Sequence, residues 1–451
     1  MPDVYEIVNS TQLNNDLEDV ADAIRAKSQG QDPLHFPDEF ISEIGSIPTG
    51  ASINGASDVT VEALQPIAKD DTCYIFTRKY SKYLRPTPMY TVAMAGVAWS
   101  PDGKRVACTF SGNPRIAIYD TTTSDGWFTR ITAPSTSPTG AAKKMAWSPD
   151  GTRLAVAHTT TPFITIYDTT TTPYTKIADP ATLPADNATC CAWSPDGTRL
   201  AVVHSTSPYV TIYDTTTTPY TKIADPATLP TGTGKQCAFS HNGAYLAVTH
   251  VTSPRITVYD TSTTPYTKLA DPANLPGGTQ GTAVAWSPDD TRLAVGGSSS
   301  SYLTIYNTTT TPFIRITAPS QPAGTPQGLD FSPDGTRLAV ADTSSPYFIT
   351  YDTTTTPYTK ETAPDTMPDA GGYDCKYSPN GQFIAIATNE IASFPGAFAS
   401  YFFIYVIVGA NPLAVPADNY AIARDQDLNY GYAKAAISKG STGPAVSLFR
   451  V

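Results

Sequence analysis

Charged side chains are scarce in this sequence. Lysine, arginine, aspartate and glutamate make up 15% of the 451 residues, and the formal net charge is −11. Lysine and arginine nowhere form a cluster, and proteins that bind DNA or RNA need such clusters to neutralise phosphates. We therefore expect no nucleic-acid partner.

Long apolar runs are missing as well. The longest, residues 401–408, is far shorter than the roughly 20 residues that a membrane-spanning helix needs. The first residues show neither the basic region nor the apolar core of a secretory signal. We expect no membrane insertion, and synthesis in a cytoplasm.

Motifs of catalysis and of cofactor binding are also absent. The sequence has no nucleophile elbow, no Walker loop and no paired Cys-x-x-Cys motifs. We expect a protein that is not an enzyme and that binds no cofactor and no metal.

What the sequence has in abundance is one motif, an aromatic residue followed by Ser-Pro-Asp-Gly. It occurs seven times with small variations, at spacings of 45 to 48 residues. Ser-Pro-Asp-Gly predicts a tight turn in which glycine takes a positive φ and aspartate bonds to the backbone. The repeated aromatic residues are Trp99, Trp147, Trp193, Phe239, Trp286, Phe331 and Tyr377.

A regular period near 45 residues with several short strands per unit predicts a β-propeller. In the third unit, residues 188–193, 199–204, 209–213 and 220–223 have the pattern of strands. The motif resembles those of WD-repeat-like and TolB-type propellers. The expected fold is all-β, with a seven-bladed β-propeller of four-stranded blades over residues 80–409.

The last unit lacks an outer strand. Residues 374–378, 383–388 and 401–408 supply three strands, after which the repeat fails. An open sheet edge invites aggregation. We therefore expect residues 82–85, which precede the first unit, to complete the last blade.

Residues 1–50 differ from everything after them, because their apolar residues recur at helical spacing. They predict a helical hairpin with a break at Gly30, too small to be stable alone. We expect its apolar face to bind a partner. That face comprises Leu13, Leu17, Val20, Ile24, Phe36, Phe40, Ile41 and Ile44.

Residues 17–27, 34–41 and 44–47 resemble an N-terminal segment common in tail and other virion proteins of bacteriophages. The shared pattern is apolar-x-x-Ala-Ile-Arg-x-Lys, a gap, and then Phe-Pro. An ordinary helical hairpin is the alternative. Residues 51–79 and 410–451 resemble small β-barrel modules of phage virion proteins, and we expect them to join into one small β-barrel module flanking the propeller.

The resemblance implies a virion protein that is made in the host bacterial cytoplasm, anchored to other virion proteins through residues 1–50, and homo-oligomeric. We expect a tail or baseplate adhesin whose propeller serves in receptor binding, attaching to a host cell-surface glycan or protein. The alternatives are a head fibre or capsid decoration protein, an intracellular WD-repeat-like scaffold, and a polysaccharide-cleaving enzyme.

The last propeller unit has eight extra residues in an apolar loop with Phe394 and Phe398. Long loops on rigid scaffolds often carry function, and exposed phenylalanine marks a contact surface. We expect this candidate contact loop either to bind a neighbouring subunit or to pack on the chain's own barrel module.

His158, His204 and His250 occupy one position in three neighbouring units. They could line a binding face, ligate a metal or be copies of one structural histidine. Equivalent atoms of adjacent blades lie roughly 10 Å apart, as in packed sheets, too far for one zinc ion, which favours a structural role.

Two further residue types are interpreted as structural. Cys191, Cys237 and Cys375 stand two residues before a repeat aromatic, where other units have valine, methionine or leucine, so we expect reduced cysteines in the core. The threonine tracts predict hairpin turns in which Asp168 and Asp352 cap the backbone.

Overall fold

The computed structural model describes residues 80–83, 92–122, 128–299, 301–317, 319–361, 368, 370–388, 402–407, 424–425 and 430–431. All elements in these ranges are β-strands, so this part of the chain holds no helix that could cross a bilayer. The predicted helical hairpin with its anchor face lies outside the described residues, as do Phe394 and Phe398.

The strands before and within the first three blades have the following bounds. The first strand is β1 (Tyr80–Tyr83). Blade 1 comprises β2 (Met94–Trp99), β3 (Arg105–Phe110), β4 (Ile116–Asp120) and β5 (Thr129–Arg130). Blade 2 comprises β6 (Ala142–Trp147), β7 (Arg153–His158), β8 (Ile164–Asp168) and β9 (Thr175–Lys176). Blade 3 comprises β10 (Ala188–Trp193), β11 (Arg199–His204), β12 (Val210–Asp214) and β13 (Thr221–Lys222).

Three further blades follow the same plan. Blade 4 comprises β14 (Gly234–Phe239), β15 (Tyr245–His250), β16 (Ile256–Asp260) and β17 (Thr267–Lys268). Blade 5 comprises β18 (Gly281–Trp286), β19 (Arg292–Gly297), β20 (Leu303–Asn307) and β21 (Ile314–Arg315). Blade 6 comprises β22 (Pro326–Phe331), β23 (Arg337–Asp342), β24 (Phe348–Asp352) and β25 (Thr359–Lys360).

The chain thus forms an all-β propeller whose complete blades, built from four consecutive antiparallel strands, number six rather than the predicted seven. The last repeat supplies β26 (Gly372–Tyr377), β27 (Phe383–Thr388) and β28 (Phe402–Ile407) but no outer strand of its own. Instead β1 lies beside β28 and makes a composite four-stranded sheet. The expected closing strand exists, at residues 80–83 instead of 82–85.

The inner strands form a closed ring. Each contacts the inner strand of the next sheet, and β26 of the composite sheet contacts β2 of blade 1. The ring belongs to one compact unit, made of Lys82–Thr122 and Phe128–Val406. In the other unit, β29 (Arg424–Asp425) pairs with β30 (Tyr430–Gly431).

The hydrophobic core lies between neighbouring blades. One buried cluster joins Ile116 and Ile118 of blade 1 to Trp147, Leu154 and Tyr167 of blade 2, and the same arrangement recurs around the ring. A single blade therefore cannot bury its own apolar side chains, and burial is the main favourable term in folding.

Three of the repeat tryptophans also bond their own sheet to the one before it. Trp193 packs edge-on against Tyr220 of its own blade, with ring centroids 5.9 Å apart. Its indole Nε1 donates to Ala146 O on the inner strand of blade 2 at 3.2 Å. The same bond runs from Trp286 to Ala238 O and from Trp99 to Lys376 O.

A second aromatic position secures the segments that lead from one blade to the next. Tyr213 is fully buried, and its hydroxyl donates to Thr182 O at 2.8 Å, in the segment that leads into blade 3. The equivalent donors are Tyr167, Tyr259, Tyr306 and Tyr351.

The Ser-Pro-Asp-Gly turns form as the residue types predict. In blade 2, Ser148 Oγ accepts from Arg153 N (2.9 Å), Asp150 Oδ1 accepts from Thr152 N (3.0 Å), and Gly151 has φ +70°. A side chain on Gly151 would extend toward the ring of Pro101 in the preceding turn, 3.7 Å from the Cβ position. The turns therefore pack proline against glycine around the ring.

Three turns depart from the motif. The last repeat only has Asn380 in place of aspartate, whereas the departures in blades 4 and 5 match each other. Blade 4 has His241 and Asn242 where the motif has Pro-Asp, and blade 5 has Asp290 where it has glycine. The Asp290 carboxylate accepts from the backbone N–H of both His241 and Asn242 at 2.7 Å. Proline at position 241 could not donate the first of these bonds.

Removing one of the buried tyrosine hydroxyls should cost stability. We expect Tyr213→Phe to lower the free energy of unfolding by about 1 kcal/mol, because Thr182 O loses its donor. Chemical denaturation of the full chain measures this. The matched control is Tyr209→Phe, because Tyr209 is half-buried and its hydroxyl bonds to no described residue. Equal losses in the two variants would contradict the role given to Tyr213.

Candidate functional site

The two ends of the propeller carry different loops. At one end, the loop between the second and third strands of each blade, termed the middle loop, bonds to the segment that leads into the inner strand. Thr159 N donates to Ala141 O in blade 2, and Thr343 N donates to Thr325 O in blade 6, both at 3.2 Å. This end is termed the loop face. The other end, the turn face, carries the Ser-Pro-Asp-Gly turns and the threonine-rich hairpins.

The threonine-rich hairpins are capped as predicted. Asp168 Oδ1 accepts from Thr170 N at 2.9 Å, and Asp352 Oδ1 accepts from Thr354 N at 2.8 Å. Bonds from the threonine hydroxyl and amide lower the pKa of each carboxyl group. The threonine tracts therefore form capped turns.

The three aligned histidines lie inside their own blades. His158, His204 and His250 are fully buried at the loop-face end of the second strand. The Nε2 atom of each lies 2.9 to 3.0 Å from a threonine hydroxyl on the third strand, in Thr165, Thr211 and Thr257. Within the described ranges, no three His, Cys, Asp or Glu side chains are grouped so as to hold a metal ion.

Burial lowers the pKa of all three imidazoles to about 4, because the charged form would lose its water. The nearest charges largely oppose each other. Beside His158 they are Lys176 and Asp179, an ion pair at 2.8 Å. Lys222 and Asp225, with Asp186, are near His204, and Lys268 and Asp271 are near His250.

Acid should therefore destabilise the propeller between about pH 6.5 and pH 4. Unfolded histidines protonate near pH 6.5, whereas the folded ones stay neutral down to about pH 4. Between these pH values the unfolded state binds more protons than the folded state, so stability falls as the pH falls. Each histidine contributes a loss of up to about 1.4 kcal/mol for each pH unit. Melting temperatures across this range should fall less steeply for H158Q/H204Q/H250Q, and parallel curves would contradict the explanation. Measurement at pH 7.5, where the imidazoles are neutral in both states, separates any direct cost of the substitutions.

A largely buried ammonium group bridges the space that the inner strands enclose. The ammonium group of Lys144 on β6 donates to Asp374 Oδ1 (2.6 Å), Gln327 O (2.9 Å) and Tyr373 O (3.2 Å). Gln236 on β14 donates to the same Gln327 carbonyl at 2.6 Å. Since an ammonium has three N–H donors, this network is satisfied and joins inner strands of four sheets.

A second charged pair lies where the composite sheet meets its neighbours. Asp330 on β22 accepts from Lys376 Nζ and from Tyr377 N, both at 2.8 Å. Burial would lower the pKa of Lys376, but the carboxylates of Asp330 and Asp374 outweigh burial and hold the pKa above its ordinary value. Asp374 Oδ2 also accepts from Val97 N on β2 at 3.2 Å. We infer that these charged groups stabilise the closed ring by linking inner strands of different sheets.

The cysteines of the inner strands belong to the core. Cys191, Cys237 and Cys375 are buried with free thiols. Burial raises the pKa of the Cys191 and Cys375 thiols. The nucleophilic thiolate is therefore disfavoured at these two positions.

Breaking the lysine bridge should cost more than breaking a surface pair. We expect Lys144→Met to lower the free energy of unfolding by about 3–5 kcal/mol, because Asp374, 5% exposed, would keep a buried charge without its cation. Combining it with Asp374→Asn should recover part of the loss. Denaturant unfolding measures both effects. Lys104→Met is the control, since Lys104 is exposed and lies 4.0 Å from exposed Asp102, where a loss below about 1 kcal/mol is expected.

One position of the middle loops combines large side chains with an unusual backbone. The residue 16 places after the repeat aromatic has φ +66° at Phe163, +67° at Tyr209, +70° at Arg255 and +64° at Tyr347. Side chains with a Cβ seldom adopt this left-handed conformation, which costs about 1–3 kcal/mol. Backbone strain of this kind is a pointer to function.

These residues do not stand out among the Ser/Thr/Pro-rich connections of the sequence. The signal that identifies them is an aromatic or arginine residue after Thr-Pro or Ser-Pro at a fixed distance from the repeat aromatic, as at Phe163, Tyr209, Arg255 and Tyr347. The repeat aromatics themselves are 3–9% exposed and serve the core. The loop face is therefore the candidate functional surface.

Residues 129–267, from the outer strand of blade 1 through almost all of blade 4, match the family of Eukaryotic translation initiation factor eIF2A. The match covers less than a third of the chain. It agrees with a propeller of the WD-repeat-like kind. No curated protein matches the chain.

Proposed function

We propose that this chain is a bacteriophage virion protein, a tail or baseplate adhesin that displays its propeller for attachment to the host cell surface. The virion assignment is supported by residues 17–27 and 34–41, which resemble an N-terminal segment of phage tail and virion proteins. The display role is supported by the closed ring, which holds its loops on a rigid frame.

The observation that carries the attachment role is the chemistry of the loop face. Its loops are rich in serine and threonine, and hydrogen bonds fix their backbone. Thr139 Oγ1 donates to Thr161 O, and Thr231 Oγ1 donates to Ser253 O, both at 2.8 Å. Hydroxyl groups donate and accept, as sugars do. The surface therefore suits a host glycan, with a cell-surface protein as the other receptor class.

In this proposal the rest of the chain serves assembly. Residues 1–50 bind other virion proteins, Phe394 and Phe398 contact a neighbouring subunit or the chain's own flanking module, and the protein acts as a homo-oligomer. It performs no catalysis. A head fibre or capsid decoration protein would use the same design elsewhere on the particle.

A second candidate is an intracellular scaffold of the WD-repeat-like kind. The observation that favours it is the match of residues 129–267 to the family of Eukaryotic translation initiation factor eIF2A. Such a scaffold would bind host proteins inside the cell and would have no need of an anchor to the particle.

Labelling of intact particles distinguishes these functions. We expect an antibody against the propeller to label the tail tip, and a chain lacking residues 1–50 to be absent from particles while its propeller still folds. Label over the head would assign the protein to decoration. A chain found in infected cells but on no particle would contradict the virion proposal and favour the scaffold.

A further inference from the structure

Three tyrosines on the loop face differ from those of the core. Tyr209, Tyr302 and Tyr347, here termed the tyrosine row, stand at the same middle-loop position in blades 3, 5 and 6. Each is half-buried, and its hydroxyl makes no hydrogen bond to any residue that the structure describes. A core tyrosine such as Tyr213 instead donates to a backbone carbonyl, that of Thr182.

At two of these tyrosines, Tyr209 and Tyr347, the loops fix the backbone in a conformation that glycine would adopt without strain. Tyr209 N donates to Thr206 O at 2.7 Å, and Tyr209 O accepts from His204 N at 2.9 Å. Tyr347 has the same left-handed backbone. At these two positions the fold therefore holds a large side chain where glycine would relieve the backbone strain.

Other blades show how the fold can use this position. Phe163 packs against the core cluster between blades 2 and 3, and Arg255 Nη1 donates to Pro276 O at 2.9 Å. Such contacts offset the strain at those two residues. The phenol groups of the tyrosine row have no hydrogen-bonding contact of this kind to any described residue, and this points to a use outside the protein.

Building on the proposed function, we propose that the tyrosine row is a glycan-binding site and that its ligand is a neutral polysaccharide spanning several blades. The half-exposed rings stack on sugar rings, and the phenol hydroxyls bond to sugar hydroxyls. The exposed Thr206 and Ser207 beside Tyr209, and Ser345 beside Tyr347, add further hydroxyls.

The surface fits a neutral glycan better than a protein or an acidic polymer. Among the described residues, the one exposed large apolar side chain is Ile314 on the outer strand β21, away from the loop face. The described residues of the loop face thus offer no apolar patch of the kind that a protein partner would bury. The net charge of −11 disfavours an acidic polymer.

Repetition of the site around the ring indicates a polymeric ligand. Stacking on one aromatic ring contributes little by itself. A chain of sugars that reaches a second and a third tyrosine binds them intramolecularly, which raises the overall affinity without new kinds of contact. We therefore expect affinity to rise steeply with the length of the saccharide.

The test measures binding of the full-length protein to immobilised glucans, mannans and galactans, and to bacterial cells. Y209A/Y302A/Y347A should bind at least about tenfold more weakly, a loss near 1.4 kcal/mol. The control Ile314→Ala should bind like the wild type. Y209G/Y347G should also lose binding yet melt at or above the wild-type temperature, because glycine relieves the strain. A lower melting temperature of this variant with unchanged binding would show a structural role and overturn the inference.

The cell experiment separates failure of the site from failure of the function. Attachment that survives periodate oxidation of surface glycans but is lost after protease treatment would overturn the glycan site and leave attachment standing. Tyrosine-dependent binding to polysaccharide without attachment to cells would support the site and contradict the adhesin.

Discussion

The contact between neighbouring blades is the interaction on which the whole propeller depends. Each buried cluster takes its side chains from two sheets, so that the apolar face of one blade is completed by the next. The indole of Trp193 reaches across the same boundary to Ala146 O, and Tyr213 holds the segment that connects the two blades. The ring must therefore close, because a blade without a neighbour would expose its apolar face to solvent.

The junction around the composite sheet meets that requirement with different chemistry. There the apolar contacts are reinforced by Asp374, which bonds to Lys144 across the enclosed space and to Val97 N on blade 1. Lys376 and Asp330 add a second ion pair toward blade 6. Charged groups specify partners more narrowly than apolar ones when every member is satisfied. They therefore suit the composite sheet, which combines β1 from before the first blade with β26, β27 and β28 of the last repeat.

Local features of the fold could be predicted from the sequence, and contacts between distant residues could not. The turn at Ser148 to Gly151 and the cap at Asp168 depend on residues two to five places apart, which a motif displays directly. The bridge from Lys144 to Asp374 joins residues 230 places apart, and no spacing rule connects them. The strand bounds of blade 3 were close to prediction, although the outer strand shrinks to Thr221–Lys222 because Tyr220 turns into the core.

The candidate site shows the same difference between features that a local motif predicts and features that depend on the folded structure. The common register of the three histidines is visible in the sequence, and each lies buried in its own blade against a threonine of the third strand. The positive φ of Tyr209 and Tyr347 is invisible in the sequence, because Ser-Pro-Tyr is compatible with several loop conformations and the carbonyls that fix this one come from the folded blade. The left-handed backbone of these loops is imposed by hydrogen bonds that exist only in the folded blade.

The paired exceptions at His241, Asn242 and Asp290 have a consequence for how the repeats keep their order. Residues 167–184 and 213–230 are identical, so these stretches of blades 2 and 3 could exchange places without changing a side chain. Blades 4 and 5 could not, because Asp290 finds its two amide donors only in the turn of blade 4. The few positions at which the repeats differ therefore help to fix the order of similar blades around the ring.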